Sequence, residues 1–347
     1  MMMYFKRVVL KLFTRRMSSV TLKDVRDARE RIKDSIHYTP VLTSTYLNTL
    51  SGHSLYFKCE NMQKTGSFKV RGALNAVRSL TVPDPVIVTH SSGNHAQAVA
   101  LAAKLSGYKA HVVMPENSLD VKKNAVLGLG AQVSYCTDKE KSRQEVADQV
   151  LASLSGKGVF ISPVNHHDVI AGQGTIAIEL LEQVPDLDVI VVSVGGGGMI
   201  SGIAIAAKGI NPNIKVIGAE PTAADDCANS LEAGRLIPNQ DESPQTICDG
   251  LLVSITELPW SIIRKSVDGV IRVTDEETIA AMRLVFERLK VVIEPSAACP
   301  LAAVCTEKFK ELFGMDKSLK IGIVLCGGNV NLLTLSNLMS RVATTDK

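Results

Sequence analysis

Nowhere in this 347-residue chain does an apolar run extend far enough to cross a bilayer. Nowhere do basic residues gather into a stripe with interleaved aromatics. Aromatics supply only 4% of residues, and the net charge is just +3. These shortages argue against a membrane-spanning protein and against a nucleic-acid binder. The seven cysteines (Cys59, Cys136, Cys227, Cys248, Cys299, Cys305 and Cys326) are odd in number, scattered, and never in a C-x-x-C pair. That pattern reads as a reduced intracellular protein, not a disulfide scaffold or a zinc site. Acid is missing from the first 23 residues, where Lys6, Arg7, Lys11, Arg15, Arg16 and Lys23 stand alone before Asp24. A mitochondrial transit segment has this composition. The plainer reading is a dispensable extension over residues 1–20, with Met17 as an alternative start. It places the protein in the cytoplasm, with the mitochondrion as the alternative.

What is plentiful is aliphatic. Hydrophobic residues make up 46% of the chain, and its length suggests about two domains. Ser54–Cys59, Val86–His90, Ala110–Met114 and Val189–Val194 read as strands, and Lys215–Ala219 and Ile321–Cys326 are further apolar runs. Phe68–Leu80, His95–Leu105 and Met199–Lys208 read as helices between them. Apolar strands alternating with helices predict an α/β protein with mostly parallel sheets covered on both faces. Turn clusters near 81–85 and 155–165 suggest a small domain, 85–163, inserted into a large one built from 21–84 and 164–347.

Four consecutive glycines, Gly195, Gly196, Gly197 and Gly198, follow the strand VIVVSV and open the helix that begins at Met199. Free N–H groups at a helix start bind anions, and glycine lets the backbone wrap a phosphate closely. The spacing fits neither G-x-G-x-x-G nor a Walker loop, so a monophosphate is expected in place of a nucleotide tail. Lys69 sits near a helix start, in Lys64-Thr-Gly-Ser-Phe-Lys-Val-Arg-Gly72. Its amine can form a Schiff base with an aldehyde if its surroundings lower its pKa. The helix dipole there disfavours the protonated amine. Alone, the residue reads as an ordinary surface lysine.

Taken together, KTGSFKVRGA, HSSGNHAQ at 90–97, GQGT at 172–175, GGGGMISG at 195–202 and CGGN at 326–329 resemble the motifs of one family, in its order. It is the threonine dehydratase and serine racemase family of fold-type II pyridoxal-phosphate (PLP) enzymes. The resemblance covers roughly residues 22–335. It implies two domains, each with a mostly parallel sheet covered by helices, and a homodimer. It implies racemisation of L-serine to D-serine through an α-carbanion, with side elimination to pyruvate and ammonia. The alternative is an L-serine/L-threonine dehydratase. A non-catalytic PLP-binding regulator is a third class, against which an intact Lys69 argues.

By the same resemblance Lys69 carries PLP and moves the α-proton on one face. Phe68 packs beside the ring, Asn94 bonds its hydroxyl, and Gly195 to Gly198 with the Met199 amide hold the phosphate. Cys326 faces the pyridine nitrogen, where racemases mostly have Ser, a departure that leans toward dehydratase. Ser92 leans the other way. Racemisation needs an acid/base on each face of a planar carbanion, and Ser92 stands where dehydratases typically carry Ala. Ser91, Ser92, Asn94 and His95 would bind the substrate carboxylate. Glu220, the Ala224 carbonyl and Asp226 would hold Mg²⁺ or Ca²⁺. Ser44, Lys64, Thr65, Gln97, Lys290 and Asn329 match positions that bind ATP at the dimer interface, although Leu129 and Thr45-Tyr46 depart from that pattern. His166, His167 and Asp168 read as loop residues near the site mouth, and Val164 replaces an Asn usual in the racemases.

Overall fold

The computed structural model describes residues 19–91, 93–118, 120–137, 140–241, 244–314 and 318–342. Among these residues ten strands run in chain order: β1 (Val41–Leu42), β2 (Ser54–Lys58), β3 (Val86–His90), β4 (Lys109–Pro115), β5 (Gln132–Cys136), β6 (Gly158–Phe160), β7 (Val189–Ser193), β8 (Lys215–Pro221), β9 (Gly269–Val273) and β10 (Lys320–Val324). They form two sheets. The six-stranded sheet has the order β1-β2-β10-β7-β8-β9, and the four-stranded sheet the order β5-β4-β3-β6. Every neighbouring pair is parallel except β1 with β2.

The apolar runs account for this layout. All five residues of β7 are buried, because β10 and β8 flank it and helices cover both faces. Around it Val191, Ile203, Val216, Ile293 and Ile323 join the main core. A second core, with Val70, Leu74, Ile87, Val99 and Val112, lies between the two sheets' helices and the four-stranded sheet. The strands of the smaller sheet all come from residues 86–160, between β2 and β7 in the chain. No described helix is long and apolar enough to cross a membrane.

Three helices position the site. Lys69–Arg78 is the lysine helix, His167–Gln183 a central helix, and Gly198–Ile210 the helix opened by the glycines. The central helix packs against both others. A Cβ on Gly172 would lie 2.6 Å from Gly72 Cα, and one on Gly174 would lie 2.7 Å from Gly202 O. Glycine at these positions therefore permits backbone to meet backbone.

Candidate active site

The turn Lys64–Gly66 before the lysine helix meets the turn after β10. Phe68 N donates to Cys326 O at 3.0 Å, Gly328 N donates to Gly66 O at 2.9 Å, and Ser67 bridges to Gly327. Thus KTGSFK and CGGN, far apart in sequence, become one wall. β7 ends at Ser193, and Gly195 to Gly198 turn the chain into the next helix, with Gly197 at φ +81°. The site thus lies at the carboxyl ends of parallel strands, where open α/β sheets bind ligands.

These segments enclose a cavity of about 380 Å³. Its lining includes Lys69, Asn94, the four glycines, Met199 and Cys326. Phe68, Ser91 and His95 line it too, so the structure brings together the expected cofactor and carboxylate residues, except Ser92, which lies outside the described residues. Val164 is also in the wall, and a Cβ on Gly196 would run into its side chain.

Lys69 is the first residue of its helix and faces the cavity, with Nζ 5.0 Å from the Phe68 ring centre. Its pKa is lowered to about 8. Burial is the main cause, and the charges of Cys326 and Glu294 oppose it. Loss of hydration depresses this amine. Burial also drives the Cys326 thiol well above its usual range, so it stays neutral. Ser193 Oγ donates to Ser296 O at 2.6 Å and lies 3.9 Å from Cys326 Sγ. The pKa of His95 falls to about 3, again mainly through burial. Its Nε2 is 3.1 Å from Ile161 O, which can only accept, so Nε2 carries the proton. Nδ1 is then an acceptor with no partner among the described residues.

Glu294 was not legible in the sequence. It is buried, and Asn94 Nδ2 donates to both its oxygens at 2.9 and 3.1 Å. Asn329 N donates to Oε2 at 3.1 Å. Burial, with the charge of Asp249, pushes its carboxyl up to about 7. Lys122 and Asp249 carry no local signal either; they pair at 2.8 Å beside the cavity. Lys122 stands on a helix of the four-stranded side, Asp249 on the segment before Gly250, so the pair spans the two halves.

A family model described as "Pyridoxal-phosphate dependent enzyme" fits residues 32–327. The chain belongs to that family. It is 48% identical over 326 residues to the serine racemase of Dictyostelium discoideum, covering 93% of this chain and 99% of that one. Against the serine racemase of Homo sapiens it is 50% identical over 319 residues, covering 90% and 92%. The solved structure of maize serine racemase superposes with a TM-score of 0.88 at 43% identity, covering 94% and 99%. A solved T.th. threonine deaminase gives 0.82 at 41%, covering 90% and 99%. The two mostly parallel sheets are therefore those of a fold-type II PLP enzyme.

PLP fits these walls. A glycine turn at a helix start suits its phosphate. A Cβ on Gly195 would sit 2.9 Å from Leu251 Cα, so the cradle admits no larger residue without backbone movement. A lysine with a lowered pKa suits its aldehyde, and a buried neutral thiol suits an unprotonated ring nitrogen.

The remaining expected residues fall elsewhere. Glu220 and Asp226 are both buried near the end of β8. Glu220 accepts from Cys227 N and Ala228 N at 3.1 and 3.0 Å, and Asp226 Oδ2 accepts from Ile255 N at 2.7 Å. Asp226 Oδ1 makes no well-formed hydrogen bond among the described residues, although the Asn239 amide lies close enough to lower the Asp226 pKa. Burial raises both carboxyls, Glu220 well above its range and Asp226 to about 6. Among the described residues no three His, Cys, Asp or Glu side chains form a metal cluster. A cation here would draw on main-chain and water oxygen as well, a chemistry suited to Mg²⁺ or Ca²⁺.

Of the nucleotide set, Asn329 Nδ2 donates to Thr65 O and to Asn94 Oδ1, both at 2.8 Å. Lys64 and Thr65 lie in a turn packed on the helix Asn94–Leu105, which carries Gln97. Ser44 caps the helix Thr45–Ser51, and Lys290 caps Asp275–Leu289; these two helices meet where Arg288 stacks on Tyr46, 4.0 Å from its ring centre. His166, His167 and Asp168 differ from expectation. His166 caps the central helix, and His167 and Asp168 begin it, so a helix start replaces the expected loop. None of the three lines the cavity.

Proposed function

We propose that this protein interconverts L- and D-serine and, as a side reaction, converts serine to pyruvate and ammonia. The observation that carries this reading is a buried lysine sharing a cavity with a glycine cradle, in a chain 50% identical to a serine racemase over 319 residues. Bound PLP would draw electrons from the substrate's α-carbon and make its C–H bond acidic. The rest falls to the chain's own side chains. Gly195 to Gly198 and the Met199 amide hold the phosphate, Asn94 orients the ring hydroxyl, and Phe68 packs beside the ring. Cys326 offers the ring nitrogen a neutral thiol. Ser91, Ser92, Asn94 and His95 hold the substrate carboxylate.

Lys69 Nζ takes or returns the α-proton on one face. One base alone would return it to the side it came from, so inversion needs a second group opposite. We assign that role to Ser92 from its place in HSSGN. A dehydratase acting on L-serine or L-threonine is the second reading, favoured by the Cys326 thiol and by Val164 in the cavity wall. L-Serine incubated in D₂O with Mg²⁺ and ATP separates the two. We expect pyruvate together with D-serine deuterated at the α-carbon; pyruvate without D-serine would establish the dehydratase instead.

Glu220, the Ala224 carbonyl and Asp226 are assigned to Mg²⁺ or Ca²⁺, supported by the buried Asp226 Oδ1, which makes no well-formed hydrogen bond among the described residues. Ser44, Lys64, Thr65, Gln97, Lys290 and Asn329 are assigned to ATP, supported by the Asn329 link to Asn94. A homodimer is supported by apolar side chains left exposed on neighbouring elements, among them Tyr46, Leu50, Val292, Leu332 and Leu333. We assign 85–163 to the small domain and 21–84 with 164–347 to the large one, and place the protein in the cytoplasm. Residues 1–18 of the extension lie outside the described residues.

A further inference from the structure

One cofactor has two ends, and here they would be met by the starts of two different helices. Lys69 begins the lysine helix, and the glycine cradle begins Gly198–Ile210. The central helix His167–Gln183 packs against both, through the close backbone contacts at Gly172 and Gly174. Those contacts set how near the helices come. They do not stop the lysine helix from sliding or turning on its neighbour.

Asn75 Nδ2 and Ser79 Oγ, farther along the lysine helix and at its end, donate to Asp168 at 2.7 and 2.9 Å, and Arg71 supplies the charged restraint nearest Lys69. It lies two residues after Lys69, which places it about 200° around the same turn, on the opposite face. It is fully buried. Nε and Nη2 donate to the two oxygens of Glu60 at 2.7 and 2.8 Å. Nη1 and Nη2 donate to the two oxygens of Glu179 at 2.6 and 2.8 Å, and Nη1 also reaches Thr175 Oγ1 at 3.2 Å. Glu179 and Thr175 belong to the central helix, and Glu60 follows β2. The two acceptors are themselves held. Lys58 Nζ donates to Glu179 at 2.8 Å, and Thr39 Oγ1 to Glu60 at 2.6 Å.

We propose that Arg71 is a positioning residue: its double fork to Glu60 and Glu179 fixes the lysine helix on the central helix, and so sets the separation between Lys69 and the glycine cradle. This rests on the reading that Lys69 and the cradle hold opposite ends of PLP. Two cations and two carboxylates leave the cluster neutral, so Arg71 acts through geometry and not through charge on Lys69. A lysine keeps the charge but cannot form two planar forks.

The test compares holoenzyme variants by kcat and KM for L-serine and by the visible absorption of the bound cofactor. Arg71→Lys is expected to lower kcat about tenfold or more, in keeping with the cost of ångström-scale misplacement. KM should stay within about threefold, and the visible band should weaken or shift. Thr175→Val removes the Arg71 bond to Oγ1, together with the bond Oγ1 donates to Gly172 O at 2.7 Å within the central helix, and both ion pairs remain; it should move kcat the same way by less. Phe309→Leu, a core change outside the cavity lining, controls for lost stability alone. The proposal is overturned if Arg71→Lys keeps wild-type kcat and band, or loses no more kcat than Phe309→Leu at equal loss of melting temperature. If Arg71→Lys does not fold, Thr175→Val decides, and wild-type kcat there overturns the proposal. A wild-type protein without a visible band would instead remove the underlying reading of Lys69.

Discussion

An amine must shed its proton before it can attack an aldehyde. Lys69 does so at about pH 8, because burial in the cavity wall strips water from its ammonium form. At pH 7 about a tenth of the protein would carry the neutral amine, against well under a thousandth for an ordinary lysine. The rate at which protein stripped of cofactor recaptures added PLP should therefore rise with pH and level off above about pH 8. Stopped-flow growth of the visible band measures it, and a rate still climbing steeply past about pH 9.5 would show an unperturbed lysine. Lys69 and the four glycines were legible because short-range words carry them. Arg71 and Glu294 were not. Arg71 looks like any helix-surface arginine until Glu179 arrives, 108 positions away, and Asn94 meets Glu294 across 200. Nothing local in the sequence marks such partners.

At the scale of elements, strands buried on both faces disclose themselves as unbroken apolar runs. Val86–His90 was read to the residue, and β7, β8 and β10 to within one or two. The central helix escaped for a physical reason. Every residue from Val169 to Leu181 is buried, including Gln173, Thr175 and Glu179. With no solvent face it has no amphipathic period to detect. Elements also carry the proposed cation's effect. Asp226 opens the helix Asp226–Ala233, and through Ile255 N it holds the segment 251–256, part of which lines the cavity. Binding at a hundred times Kd would stabilise the fold by about 2.7 kcal/mol. EDTA should thus lower the melting temperature by several degrees and weaken PLP binding, and Mg²⁺ or Ca²⁺ should restore both. Glu220→Gln should abolish the response. An unchanged melting curve in EDTA would remove the cation from this site.

The whole molecule places its cavity between two sheets, with Lys122 and Asp249 paired across the halves. That architecture followed from strands alternating with helices, whereas the side of each strand's neighbour did not. β10 inserts between β2 and β7, a pairing of distant segments that no local pattern encodes. The outer face is less finished than the inner. Leu332 and Leu333 are 73% and 78% exposed on a helix that packs on Asp275–Leu289. Exposed apolar clusters mark contact surfaces. Sedimentation should show a dimer, and Leu333→Asp should shift it toward monomer; a wild-type monomer at micromolar concentration would contradict this.

In the proposed reaction two groups on opposite faces move the α-proton. The most direct test is to give L-serine to the wild type and to Ser92→Ala, and to measure D-serine and pyruvate from each. The wild type should form both products, and Ser92→Ala should form pyruvate with D-serine abolished. Equal loss of both products in Ser92→Ala, or D-serine still formed by it, would contradict the assignment.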